Sequence, residues 1–263
     1  MIDGKYIAVV MPAYNAAKTL ERTVLEIPDM VDECILVDDY SKDETVAVAK
    51  RLGLRILVHD RNYGYGRNQK TCYAEALARG ADVVVMVHPD YQYPPRLVTA
   101  MASMVACGMY DLVLGSRILG GQALHGRMPL YKYIANRALT AVQNIAFSAS
   151  LSEYHTGFRA FSRELLNGLP LHKLSDGFLF DNQVLAQAIL LGARIGEISS
   201  PARYFPEASS IGFRSSCAYG LGVLRTTIQC ASRLPSRRNR RAAFAPQEPQ
   251  PTERAMAAGN GHR

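Results

Sequence analysis

The feature that most constrains this 263-residue chain is a regular alternation over its first 115 residues. Short β-branched runs at residues 6–11, 34–37, 54–58, 83–87 and 112–114 read as buried strands. Between them, residues 17–26, 43–52, 67–79 and 94–106 carry helical patterns. Repeated βα units joined by right-handed crossovers make a mostly parallel central sheet flanked by helices, an α/β domain. In such a sheet ligands bind beyond the carboxyl ends of the strands. The polar residues fall there: Pro12-Ala13-Tyr14-Asn15, Asp38-Asp39, His59-Asp60-Arg61-Asn62 and His88-Pro89-Asp90.

The second half is less regular. Residues 116–128 are Gly-rich and carry Arg117, His125 and Arg127, which predicts a mobile loop able to act as a lid before a helix over 129–147. Residues 154–162 look strand-like, 179–191 form an apolar helix, 194–198 a last strand and 205–210 a polar loop. Residues 211–234 mix Phe213, Tyr219, Leu221, Leu224 and Ile228 with Arg214, Arg225 and Arg233. That mixture predicts an amphipathic helix that either packs on its own domain or lies on a membrane. Residues 235–263 lack an apolar period and read as a disordered basic tail. The expected division is therefore a domain over 1–210, a helix over 211–234 and the tail.

Hydrophobic residues make up 48% of the chain, enough for one sizeable core. The net charge is +7, but seven arginines against Glu248 and Glu253 from Arg233 onward supply most of it. Basicity is thus a tail property, suited to an anionic membrane surface or to solvation, and no nucleic-acid partner is expected. The five cysteines are odd in number and include no Cys-x-x-Cys pair, so neither a disulfide framework nor a zinc ribbon is suggested and a reducing compartment is expected. No run approaches the ~18 apolar residues of a membrane span, and the N-terminus enters a strand pattern directly. The expected location is cytoplasmic, soluble or peripheral on the inner face of the membrane.

Two clusters carry candidate chemistry. Asp38 and Asp39 place adjacent carboxylates at the ligand edge, where a base, ribose or cation would partner them. Ser41 and Glu44 nearby have the spacing of a helix capping box. His88, Asp90 and Gln92 alternate along an extended turn, so an imidazole, a carboxylate and an amide oxygen could meet on one Mn2+ or Mg2+ completed by phosphate oxygens. The other reading of that turn is a hydrogen-bonded structure stiffened by prolines. Arg117, Arg159 and Arg203 sit in polar turns where guanidinium groups could hold phosphate. Gly64-Tyr65-Gly66 lacks the third glycine of a dinucleotide fingerprint and follows the wrong strand, which disfavours a dehydrogenase. No nucleophile elbow or P-loop is present.

Read in order, Val10-Met11-Pro12-Ala13-Tyr14-Asn15, Leu36-Val37-Asp38-Asp39, His88-Pro89-Asp90-Tyr91-Gln92 and Gly115-Ser116-Arg117 resemble family 2 glycosyltransferases with a GT-A fold. Tyr154-His155-Thr156-Gly157-Phe158-Arg159-Ala160-Phe161 is further similar to the bacterial branch related to polyprenyl-phosphate (dolichyl-phosphate-type) sugar transferases. The resemblance implies a nucleotide-sugar donor, an inverting, metal-dependent hexosyltransferase and a lipid-phosphate acceptor. It implies that Pro12, Tyr14, Asn15, Asp38 and Asp39 line the nucleotide pocket, that Asp90 and Gln92 hold the divalent metal, and that Arg117 and Arg159 hold the acceptor phosphate. His88 stands where many relatives carry the first Asp of Asp-x-Asp, and imidazole there favours a softer ion such as Mn2+. Asp181 falls near a carboxylate-bearing helix of relatives; Asp181 or Asp176 would serve as base for a hydroxyl acceptor, whereas a lipid phosphate needs none. Residues 204–210 would form a further active-site loop. The alternatives are a transferase acting on a glycan or small-metabolite hydroxyl, and a non-catalytic sugar-nucleotide-binding or membrane-scaffolding module.

Overall fold

A computed structural model describes residues 1–121, 123–126, 128–201 and 213–234, with the side chains of 213–215 left out. Arg127, Arg203, the loop expected at 204–210, the start of the helix expected from 211 and the basic tail lie outside the described residues.

Seven strands form one sheet in the order β3-β2-β1-β4-β6-β5-β7. They are β1 (Ile7–Ala13), β2 (Glu33–Asp38), β3 (Arg55–Val58), β4 (Val83–Met86), β5 (Leu112–Ser116), β6 (Arg159–Ser162) and β7 (Ile195–Ser199). β1 pairs in parallel with both β2 and β4, and every residue of β1 is buried. That continuous apolar run is what a strand covered on both faces requires. β6 alone runs antiparallel, wedged between β4 and β5. It is shorter than the strand expected over 154–162, because it begins only at Arg159, with Phe158 O accepting from Gly115 N at 2.9 Å just ahead of it.

The helices are α1 (Ala17–Leu25), α2 (Thr45–Arg51), α3 (Tyr65–Ala78), α4 (Val98–Ala106), α5 (Leu130–Phe147), α6 (Arg163–Gly168), α7 (Phe180–Leu190) and α8 (Phe213–Ala231). α1, α2 and α4 bury Leu20, Val48, Ala49 and Met101 against one sheet face with Ile7, Val9 and Val85. α3 and α7, with Phe147 of α5 and Cys230 of α8, cover the other face through Tyr73, Phe180 and Val184. α8 packs on α5 and α7. The short α6 is not apparent from the sequence pattern; Ser162 caps it by accepting from the Leu165 N–H.

The capping box expected at α2 does not form. Ser41 Oγ instead accepts from Asn15 N at 2.8 Å, and Asp43 Oδ1 accepts from Thr45 N at 3.0 Å. Asn15, in a left-handed conformation with φ 52°, accepts from Lys42 N at 2.8 Å. These bonds sew the loop after β1 to the loop after β2, because each supplies the partners that the other's exposed backbone lacks. No described helix is long and apolar enough to cross a membrane.

Candidate active site

A cavity of about 580 Å³ opens at the carboxyl edge of β1, β2 and β4 and extends under α5 and α8. Pro12, Tyr14, Asn15 and Asp39 line one side; His88, Asp90 and Gln92 the floor; Arg117, Lys132, His155 and Tyr219 the other side. The structure thus assembles most residues singled out from the sequence, from Pro12 to Asp181.

The two adjacent carboxylates part company. Consecutive side chains at a strand end point to opposite sides, and only Asp39 lines the cavity. Its Oδ1 accepts from the His59 ring at 2.7 Å and Tyr63 N at 2.9 Å, and its Oδ2 accepts from Gly64 N at 2.9 Å. Asp39 therefore sets the loop that carries Asn62, Gly64 and Tyr65 into the cavity wall. Asp38 turns inward and accepts from Ser41 N at 2.9 Å, while its Oδ1 is buried without a partner among the described residues.

The two arginines expected to hold phosphate, Arg117 and Arg159, also divide. Arg159 is fully buried and gives its guanidinium to backbone carbonyls: Thr156 at 2.8 Å, Asp181 at 2.6 Å and Tyr154 at 3.3 Å. It ties the segment before β6 to α7 and does not line the cavity, so it is not brought to a position where it could hold an acceptor phosphate. Arg117 does line it. Its position is set by Glu153, which is wholly buried and accepts from Arg117 N at 2.8 Å, from Nε at 2.9 Å and from Nη2, with Asn136 Nδ2 donating to the same carboxylate at 2.7 Å. Burial alone would raise the Glu153 carboxyl, but the Arg117 charge and these donors outweigh it and hold it below its ordinary value. Lys132 stands near this guanidinium; burial, and then Arg117, push its ammonium below the usual lysine range. Two cationic side chains on one wall suit an anionic ligand.

Asp181 lines the cavity with both oxygens engaged: Tyr65 donates to Oδ2 at 2.6 Å and Gln69 Nε2 to Oδ1 at 2.9 Å. The same Tyr65 hydroxyl lies 3.1 Å from His88 Nε2. Gly157 makes room for this contact, since a Cβ there would collide with His88 Nε2 and lie 2.9 Å from the Tyr65 hydroxyl. Asp176, in contrast, is exposed and paired with Lys70 at 2.7 Å. Asn68 Oδ1 and His155 Nε2 are buried polar atoms without a partner among the described residues, and both residues line the cavity. Burial lowers the His155 pKa to about 4, so the ring is neutral at pH 7.

Among the described residues no three His, Cys, Asp or Glu side chains converge as a metal cage. The floor offers one carboxylate, Asp90, beside the Gln92 amide and the His88 ring. That donor set fits a hard divalent cation whose remaining positions are filled by phosphate oxygens. Tyr65, Asn68, Lys132, His155 and Tyr219 escaped sequence analysis as cavity residues; for His155 the signal was its place just before Thr156 and Gly157 in a segment already singled out.

Residues 8–169 match the model of glycosyl transferase family 2. A glycosyltransferase of Haloferax volcanii is 29% identical over 243 residues, covering 88% of this chain and 38% of that one. The dolichyl-phosphate hexose transferase of the same organism is 26% identical over 232 residues, covering 87% and 96%. The chain therefore spans well under half of one curated relative and nearly all of the other. Among solved structures, glucosyl-3-phosphoglycerate synthase from Mycobacterium tuberculosis, in complex with Mn2+, UDP-glucose and phosphoglyceric acid, superposes with a TM-score of 0.64 at 22% identity, covering 89% of this chain and 82% of that one. The shared architecture is the GT-A fold expected from the sequence.

Proposed function

We propose, from the premise that the chain belongs to glycosyl transferase family 2, that it moves a hexosyl group with inversion from a nucleotide-sugar donor to a polyprenyl-phosphate acceptor. The observation that carries this reading is the cavity lining, which joins Pro12, Tyr14, Asn15 and Asp39 from the ends of β1 and β2 to two cationic side chains, Arg117 and Lys132, with Asp90 from beyond β4 between them. Resemblance to a dolichyl-phosphate hexose transferase over nearly its full length supports the acceptor class.

Tyr14, half exposed at the rim, offers a ring face to the base, and Asp39 faces the ribose side. Asp90, with Gln92 and His88, would hold Mn2+ or Mg2+, which when bound supplies positive charge that stabilises the departing diphosphate. Arg117, fixed by Glu153, and Lys132 orient the acceptor phosphate for attack from the face opposite the leaving group. A phosphate nucleophile is already ionised, so no general base is required, in keeping with an Asp181 whose oxygens are both engaged. Peripheral association with a membrane is part of this reading.

The test is a panel of UDP-, GDP- and dTDP-sugars with Mn2+ or Mg2+, with and without polyprenyl phosphate, following nucleotide release and lipid-linked product. A lipid-linked sugar from one donor supports the proposal; nucleotide release only with a hydroxyl acceptor rejects the acceptor class, and silence across the panel rejects transfer.

A further inference from the structure

α5 and α8 are inside-out. α5 turns Asn136, Thr140 and Gln143 into the protein and leaves Leu130, Ile134 and Ile145 in solvent, the last 81% exposed. α8 buries Thr226 and Thr227 beside Val223 and Cys230, and exposes Leu221, Leu224 and Ile228, with Leu221 at 70% and Ile228 at 72%. The α8 positions recur every three or four residues, and Leu130, Ile134, Val142 and Ile145 of α5 fall four, eight and three apart, close to whole turns, so each helix carries an apolar stripe on its outer side. Scattered exposed leucines are ordinary; two packed neighbouring helices that hide amides and hydroxyls and display isoleucines are not.

Charge says what the stripes meet. Neither helix contains an aspartate or glutamate. Arg137, Arg225 and Arg233 are exposed along or just beyond them, and Lys132 stands where α5 borders the cavity. A second copy of the chain placed on this face would bring like charges together, whereas an anionic lipid surface complements them. The face also continues into the cavity: Tyr131, Ala135 and Leu139 line the latter from the flank of α5 next to the apolar stripe, and Ser216 and Tyr219 from α8.

We propose that the outer face of α5 and α8 docks onto an anionic lipid bilayer, the isoleucine and leucine stripes entering the interface and the arginines meeting head groups. Docked so, the cavity mouth lies at head-group depth. The assignment deepens the peripheral membrane association contained in the proposed function, but it is read from the helices alone, and vesicle binding measured with no donor present tests it separately from sugar transfer.

Two native cysteines provide the experiment on the intact chain. Cys217 is exposed on the α8 stripe, four residues before Leu221, and Cys107 is exposed after α4 on the opposite side of the sheet. Vesicles of phosphatidylcholine with one part in three phosphatidylglycerol are expected to slow maleimide labelling of Cys217 at least about fivefold while leaving Cys107 unchanged, and pure phosphatidylcholine to protect much less. Ile145→Ser with Ile228→Ser should lower vesicle co-sedimentation about tenfold, with an unchanged melting temperature because both side chains already contact water. The proposal is overturned if both cysteines are slowed equally, if Arg→Gln changes at 237, 238, 240 and 241 abolish binding while the isoleucine variants do not, or if light scattering shows a dimer that those variants dissociate.

Discussion

Tyr65 donates its only hydroxyl proton to Asp181 at 2.6 Å, and so meets His88 Nε2, 3.1 Å away, as an acceptor. Burial and the Asp181 carboxylate push the phenol well above its usual pKa, so it keeps that proton. A neutral His88 therefore carries its hydrogen on Nε2 and keeps its lone pair on Nδ1. Asp181 thus sets, through one tyrosine, which nitrogen of a floor residue can accept a bond.

Removing that link should be felt in turnover more than in folding. Tyr65→Phe is expected to lower kcat about tenfold and to weaken Mn2+ binding in the presence of UDP by a similar factor. Gly157→Ala, which drives a methyl into the His88 ring, should do the same. Calorimetric Mn2+ titration and steady-state kinetics check both; unchanged values in Tyr65→Phe would dissociate the tyrosine from the floor.

Asp90→Ala should reduce metal-dependent turnover at least about a hundredfold, because it deletes the single carboxylate of the floor. Asp176→Ala, at an exposed ion pair, should stay within about threefold of the parent. Assaying both with a saturating donor separates the floor from an ion pair outside the cavity.

Glu153 makes an acid-sensitive contribution. Its folded pKa lies below the ordinary 4.5, so the stabilisation is present above that value and is lost as pH falls through the folded pKa. Glu153→Gln should cost about 3 kcal/mol at pH 7 by leaving Arg117 without its buried partner, and should flatten the acid limb of the stability curve. Urea melts from pH 7 to pH 3 read both effects.

His155 acts over a different window. Its pKa falls from 6.5 to about 4 on folding, so the unfolded chain binds the extra proton and stability declines as pH drops between those values. The full effect is on the order of 3 kcal/mol. His155→Gln should remove this slope between pH 6.5 and pH 4 while leaving the Glu153 limb below it; a slope that persists would place the titration elsewhere.

What could be read from the sequence follows the range of the forces involved. β1 and β4 were legible because burial on both faces demands an unbroken apolar run, a local property. The cavity edge was legible because polar residues follow those runs. Asp38 and Asp39 were alike on paper, and only the strand's pleat separates them. Arg159 looked like a ligand group in a polar turn, yet its neighbours Phe158, Ala160 and Phe161 are all buried, and a guanidinium among them must find acceptors inside the chain. The Tyr65–Asp181 bond spans 116 positions, and no local pattern encodes a partner at that separation. The apolar stripe of α8 was visible from 211 onward, but that α5 shares it required knowing which side of α5 faces in.

The lone reversed strand has a further consequence. Because β6 runs against β4 and β5, residues that enter it, from Glu153 to Gly157, arrive at the same rim as residues that leave the parallel strands. One wall of the cavity is thus built from exits alone, while the other joins the exit of β5 at Arg117 to the entrance of β6 at His155, and the β4–β6 seam lies between the two walls. Lengthening or rewriting the segment ahead of β6 would recut the wall that carries Arg117 and His155 without shifting the register of β1, β2 and β4. The molecule is in this sense modular at a single hydrogen-bonded seam, with one half free to change what it receives while the other keeps what it is given.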